Sequence, residues 1–345
     1  MLKLHLPLLR TPSLLLLLLG AFGANAITTS ATQPYLLVGT SINDSVLASN
    51  FEIGANQSAI PQSGLSLAES FPPPNTLPVF TGISSDGNVA VVDPNGQFNF
   101  SDLDIYADAG IGVQCAGSTG SCNNGASNTS FNGLSFPANG LTGGVDFSAL
   151  TLELDTVRGQ INGLAATDTI DLTSSGGKIS GGTTTINLLS GINVIDILTD
   201  TGGSTDFLLE NANLVIDGGA DSSVIFRIED DANMLVSQSA IVVGDGGIGL
   251  DDVMFFSDKN DNDTHFNLSN VVVNGVSFWD LSNFGDPSEI SFNNVQGCTQ
   301  AVGNKLNTGQ NVRLTRCSFA PVPEPGPGLL VAAGLVALGI QRRFR

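Results

Sequence analysis

Beyond Thr167 the chain is built of short apolar runs: INVIDIL, NLVIDGG, SVIFRI, AIVVGDGG, DVMFF, VVVNGVSF and EISFNN, divided by Gly, Asp, Asn and Ser. Run length and punctuation of this kind predict β-strands. Three segments align without gaps, ENANLVIDG (210–218), VSQSAIVVG (236–244) and LSNVVVNG (268–275). Each has a small polar residue, then apolar positions, then a glycine, and Gly218, Gly244 and Gly275 are 26 and 31 residues apart. INVIDI at 192–197 reads as an earlier, poorer copy. Irregular repeats in this range predict stacked coils, here a right-handed β-solenoid (β-helix), with a β-sandwich as the alternative.

One stretch has a different period. Phe147, Leu150, Leu154, Val157, Ile161 and Leu164 recur every three or four residues, which predicts a flanking α-helix. Asp146 stands in the N-cap position and Gly163 where the helix stops. Residues 27–90 are weakly patterned. They contain a cluster at Pro72, Pro73, Pro74 and Pro78 and read as an N-terminal segment with an extended connector. The Asn- and Ser-rich stretch 114–132 reads as an irregular loop inside a β body expected over 91–320.

The two ends carry five of the 12 basic residues. Lys3 and Arg10, the run Leu14–Leu19 and the small residues of Ala24-Asn25-Ala26 follow the secretory pattern, so 1–26 is expected to be a signal peptide removed by signal peptidase. At the other end Arg342, Arg343 and Arg345 follow a 13-residue apolar run from Gly328 to Ile340. Such a run reaches about 20 Å as a helix, against roughly 30 Å of bilayer hydrocarbon. The chain has 32 acidic and 12 basic residues, and a polyanion of this kind is not a nucleic-acid binder.

Four cysteines in an exported chain predict two disulfides, paired most simply as Cys115–Cys122 and Cys298–Cys317. No cofactor is implied. The stretch SDKNDNDTHFN places Asp258, Asn260, Asn262 and Asp263 as closely spaced hard oxygens, a candidate Ca²⁺ turn. It lacks the glycine and the bidentate glutamate of an EF-hand, and a plain solvated turn is its other reading. Catalytic motifs are wanting, since His265 is the single histidine after the signal peptide and no nucleophile elbow or phosphate loop accompanies it. Arg227 near Glu229, Asp230 and Asp231 is the one lyase-like constellation, and its simpler reading is a solvated turn. Thr183, Thr184 and Thr185 raise ice binding, but the other repeats carry no threonines in register.

Pro323-Glu324-Pro325, the apolar stretch with Leu329, Leu330 and Gly334-Leu335, and Arg342-Arg343 together resemble the PEP-CTERM sorting signal. The resemblance covers 321–345. It implies export and transient inner-membrane anchoring by a short C-terminal transmembrane helix. It also implies recognition of Pro323, Glu324 and Pro325 by an exosortase, then delivery to the cell surface or extracellular matrix. Less closely, DFSALTLELDTVRGQINGLAATDTI with INVIDIL and NLVIDGGADSSVIFRI resembles the choice-of-anchor A domain of bacterial surface proteins, over roughly 90–285. That resemblance implies a β-solenoid beside a helix, related in shape to ice-binding folds, with no catalytic residues.

The expectation is therefore a non-enzymatic surface or biofilm protein of structural or adhesive role, with extracellular polysaccharide or other surface proteins as partners. The alternatives are a polysaccharide-active enzyme on a β-solenoid and a calcium- or ice-binding module. Trp279 discriminates: lining a groove beside paired carboxylates, it would favour the enzyme.

Overall fold

The structure is a computed structural model, and it describes residues 35–41, 45–53, 88–105, 111–199, 206–228, 232–249, 252–257, 265–279 and 288–314. Nearly every strand pairing is parallel and in register, apart from the small hairpin Ser130–Phe131 with Leu134–Ser135. Parallel ladders of this extent exclude the antiparallel sandwich, and the arrangement is β-helix-like.

The strands form three stacks, one for each side of the coil. Face 1 holds Asp168–Asp171, Gly191–Leu198, Ser222–Ile228, Val253–Ser257 and the C-terminal ends of His265–Trp279 and Glu289–Gly303. It continues through Leu37–Gly39, Val89–Val91, Val113–Cys115 and Leu141–Thr142. Face 2 runs from Lys178–Ser180 through Phe207–Glu210 and Met234–Ser237, past the starts of the two long strands, to Lys305–Thr308, 46–48, 98–101 and Asn123–Ser127. Face 3 begins with Thr183–Asn187, Asn213–Asp217 and Ala240–Val243.

Chain order and stacking order differ in a revealing way. Leu37–Gly39 pairs on one side with 301–303 and on the other with Val89–Val91. The N-terminal coils thus continue the stack that the C-terminal coils end, and the β body reaches well before the expected start at 91. Between Thr142 and Asp168 the chain must travel the length of the stack. Ten strands of face 1 at about 4.8 Å spacing give roughly 43 Å. The helix Ser148–Gly163 covers about 24 Å of that distance and its flanking residues the remainder.

This helix explains the unbroken apolar runs. Leu150, Leu154, Val157 and Ile161 are buried on its inner side, as the three-four periodicity predicts. Face 1 lies between the helix and the coil interior, so SVIF and VMFFS are buried at every position. Strands covered on both sides lose the alternation of half-exposed ones. Faces 2 and 3 keep that alternation, as in Phe207–Glu210 and Asn213–Asp217. Asp146 sits one residue too early to be the N-cap; Phe147 holds that position without a side-chain bond, while Asp146 accepts the Ser148 N–H at 2.9 Å.

The interior is filled by rings. Phe226 stacks on Phe255 at 5.2 Å, Phe255 meets Phe266 at 6.0 Å, and Phe266 stacks on Trp279 at 5.1 Å. Each such pair adds about 0.5–1.5 kcal/mol beyond area burial.

The pairing corrects three readings. Asn213 stands opposite Ala240 and Ala240 opposite Val272, so the repeats are 27 and 32 residues apart, one more than the gapless alignment implies. INVIDI belongs to face 1, while the segments it was compared with run from face 2 into face 3. Residues 114–132 are not an irregular loop. They contain Val113–Cys115, Asn123–Ser127 and Ser130–Phe131 with a helical turn Thr119–Cys122.

Candidate functional site

Face 2 presents a repeated pattern of inward and outward positions among the described residues. Its inward positions are Met234, Phe266, Ile290, Leu306, Val46 and Phe98, all essentially inaccessible. The intervening positions point outward: His265, Glu289 and Lys305 form a charged row along one edge, and beside it run two columns at the rung spacing. Asn99 follows Gly125, and Asn307, Ser291 and Asn267 lie in successive register beyond Leu47. The second column runs Ser127, Ser101 and, further along, Asn293, Ser269 and Ser237. Leu47 and Leu235 interrupt the first column; no charged side chain enters either column between Ser127 and Ser237 among the described residues. Seven strands contribute, a length of about 29 Å.

The corner joining face 2 to face 3 extends this polar surface. One residue per coil turns the chain there with positive φ: Asn211 at 50°, Gln238 at 47°, Asn270 at 55°, Asn294 at 54° and Asn311 at 53°. Asp102 (52°) and Asn128 (49°) do the same in the N-terminal coils. Asn and Asp tolerate the left-handed region better than other residues with a Cβ. Their side chains then stack: Asn294 Nδ2 donates to Asn270 Oδ1 at 2.7 Å, and Asn128 Nδ2 to Asp102 Oδ1 at 2.9 Å. This ladder was missed in the sequence, although a polar residue at one position of each repeat was its trace.

Charged groups near face 2 are occupied at its margins. Lys178 pairs with Glu210 at one end of the stack. Along one edge Lys305 Nζ lies 3.3 Å from Glu289 Oε2, while Asn307 Nδ2 donates to Glu289 Oε1 at 3.0 Å and Ser291 Oγ donates to the same atom. Burial pushes the Glu289 carboxyl up, but the hydrogen bonds from Ser291 and Asn307 and the Lys305 charge outweigh it, leaving the pKa below the usual value. His265 stands opposite Glu289 in the same register.

Arg227 has a structural partner instead of a catalytic one. Its Nε and Nη2 donate to Asp196 at 2.6 and 3.0 Å, in register on the neighbouring strand. Its Nη1 donates to the carbonyls of Ile161 and Leu164 at 3.2 and 2.8 Å. The guanidinium therefore closes the C-terminal end of the long helix against face 1, where the last carbonyls lack intrahelical partners. Residues 229–231 lie outside the described residues.

Trp279 is fully buried against Phe266 and lines no groove. Thr183 stands opposite Asn213 and Thr185 opposite Val215, so the threonine run does not propagate to its neighbour in the stack. Cys115 and Cys122 form a disulfide. The side chain of Cys298, together with Cys317, the candidate calcium residues Asp258, Asn260, Asn262 and Asp263, and the sorting residues Pro323, Glu324, Pro325, Arg342 and Arg343, lie outside the described residues, as does the signal peptide. Among the described residues no three His, Cys, Asp or Glu side chains are grouped to hold a metal, and no helix is long and apolar enough to cross a membrane.

Neither a family model nor a curated protein matches the chain. Solved structures to which the chain is similar include ice-binding proteins. One from an Antarctic biological consortium is 9% identical with TM-score 0.43, over 90% of this chain and 96% of that one. One from an Antarctic Flavobacteriaceae bacterium is 14% identical with TM-score 0.47, over 86% of this chain and 48% of that one. One from the Antarctic ascomycete Antarctomyces psychrotrophicus is 10% identical with TM-score 0.42, over 84% and 97%.

Proposed function

We propose that this chain is an exported, exosortase-sorted protein of the cell surface or extracellular matrix, with a structural or adhesive role. The observation that carries the adhesive part is the pair of long, uncharged Ser and Asn columns on a chain of formal net charge −20. An outward surface of repeated rungs with its nearest carboxylate held by Lys305 suits contact with an extended partner. The coil is right-handed in this reading, as parallel crossover connections nearly always are.

The sorting part rests on the PEP-CTERM-like tail: a Pro-Glu-Pro tripeptide, an apolar run too short for a comfortable permanent span, and arginines held on the cytoplasmic side. Signal peptidase and an exosortase are its processing partners. The test is intact mass of the protein purified from its producing cells. Loss of the segment after Pro325 is the expected result; a mature protein retaining Arg342–Arg345 refutes the processing.

A second reading, an ice-binding module, is favoured by the in-register hydroxyls of Ser127, Ser101, Ser269 and Ser237. Partition of the protein into a slowly growing ice hemisphere tests it. Exclusion from the ice removes this reading.

A further inference from the structure

Resting on the surface-protein reading, we propose that face 2, with its adjoining carboxamide corner, is a binding surface for linear uncharged polysaccharide. Periodicity is the first argument. Polar outward groups stand on six of the seven rungs, Leu47 marking the exception, at multiples of about 4.8 Å over about 29 Å. Only a ligand that is itself extended and repetitive can use them all; a globular partner meets a few of them.

Hydrogen-bonding chemistry is the second argument. Asn99, Asn267 and Asn293 carry both donors and acceptors, as do Ser127, Ser101 and Ser237, while Ser291 and Asn307, which donate to Glu289, keep acceptor capacity. Sugar hydroxyls need that dual capacity. The corner adds carboxamides such as Asn294, already ordered by its bond to Asn270, so little side-chain entropy remains to be lost there on binding.

Charge decides the kind of polymer. With 32 acidic residues on the chain, a polyanionic glycan is repelled at long range, whereas a neutral one meets no charge in the Ser/Asn columns. Against ordered water as the occupant, the columns mix Asn, Ser, Gly and Leu, and they lack the repeated threonine that would set hydroxyls and methyls on one lattice. Among the described residues of this face Phe98, Phe100, Phe266 and Phe292 all point inward and offer no aromatic platform. Each contact is therefore weak, and retention depends on many rungs engaging at once.

Affinity electrophoresis of the full-length protein through gels containing hydroxyethylcellulose, dextran or alginate tests this. The expected result is retardation by a neutral polymer, little change in it between low and high salt, and none by alginate. The double variant Ser269→Arg with Ser291→Arg, both outward and half-buried, should reduce retardation at least tenfold, while Gln296→Arg on face 3 should leave it unchanged. Circular dichroism of all variants establishes that they fold. Migration unaffected by both neutral polymers overturns the proposal, as does equal loss in the face 3 variant. Partition into ice that the double variant abolishes, without retardation in any gel, overturns it in favour of water ordering. Failure here in a protein that has lost its arginine tail leaves the sorting reading standing, and neutral-polymer binding by an unprocessed protein removes only the sorting.

Discussion

Replacing Arg227 with Met tests how the helix is held to the coil. The substitution keeps the aliphatic stem and removes the guanidinium, so packing changes little. The bidentate contact to Asp196 is lost, with side chains 19% and 32% exposed for Arg227 and Asp196. A fully exposed pair contributes about 0–1 kcal/mol, and breaking a buried one costs about 3–5. Partial exposure places this pair near the lower range, about 1 kcal/mol after screening. The two bonds to the Ile161 and Leu164 carbonyls add about 1–2 kcal/mol, because a cation there also meets the negative end of the helix dipole. The expected loss is about 2–3 kcal/mol, or roughly 30- to 140-fold in a local opening equilibrium. Hydrogen exchange of the amides at the helix C-terminal end, followed by mass spectrometry with urea denaturation as the global measure, reads both consequences. Asp196→Asn should cost about half as much, since the carbonyl contacts survive it. Unchanged exchange in the last helical turn of the Arg227→Met protein refutes the clamp, whatever happens to global stability.

Two further outcomes follow from the polar edge and the corner. Glu289 has a folded-state pKa below its unfolded value, so its stabilisation is present above the ordinary carboxylate range and lost as pH falls through the lowered folded pKa. Urea midpoints measured from pH 6 to pH 3 should accordingly fall less steeply in Glu289→Gln than in the parent protein; parallel curves contradict the assignment. At the corner, Asn294→Val should cost about 2–3 kcal/mol, from left-handed backbone strain of about 1–2 and a lost carboxamide bond of about 1. Asn294→Gly keeps the turn and should cost only about 1 kcal/mol, so a glycine variant less stable than the valine variant would contradict the ladder argument.

Much of the local structure was legible because its causes are local. The helix was readable from Phe147, Leu150, Leu154, Val157 and Ile161, since one buried face needs only the three-four period. The apolar runs after Thr167 and their Gly/Asn punctuation predicted strands and stacked coils for the same reason. The proximity of Cys115 and Cys122 suggested their disulfide. Register was less legible: a slip of one residue in the alignment of 210–218 with 236–244 leaves similar residues facing each other in the text, although in the sheet it exchanges inside for outside.

What the amino-acid order by itself determined about this protein is which segments become strands or helix and which residue types each strand presents. Tertiary structure decided which segments became neighbours. Leu37–Gly39 joins the coil of 301–303 across some 260 residues of chain, a contact that no periodicity announces, because closure depends on the helix carrying the chain back along the stack. The same return path made Arg227 a clamp and left Trp279 in the core. It also aligned serines and asparagines from the N-terminal and C-terminal coils on one face. Each lies on its own strand by local alternation, but only parallel stacking at the rung spacing turns them into a continuous surface.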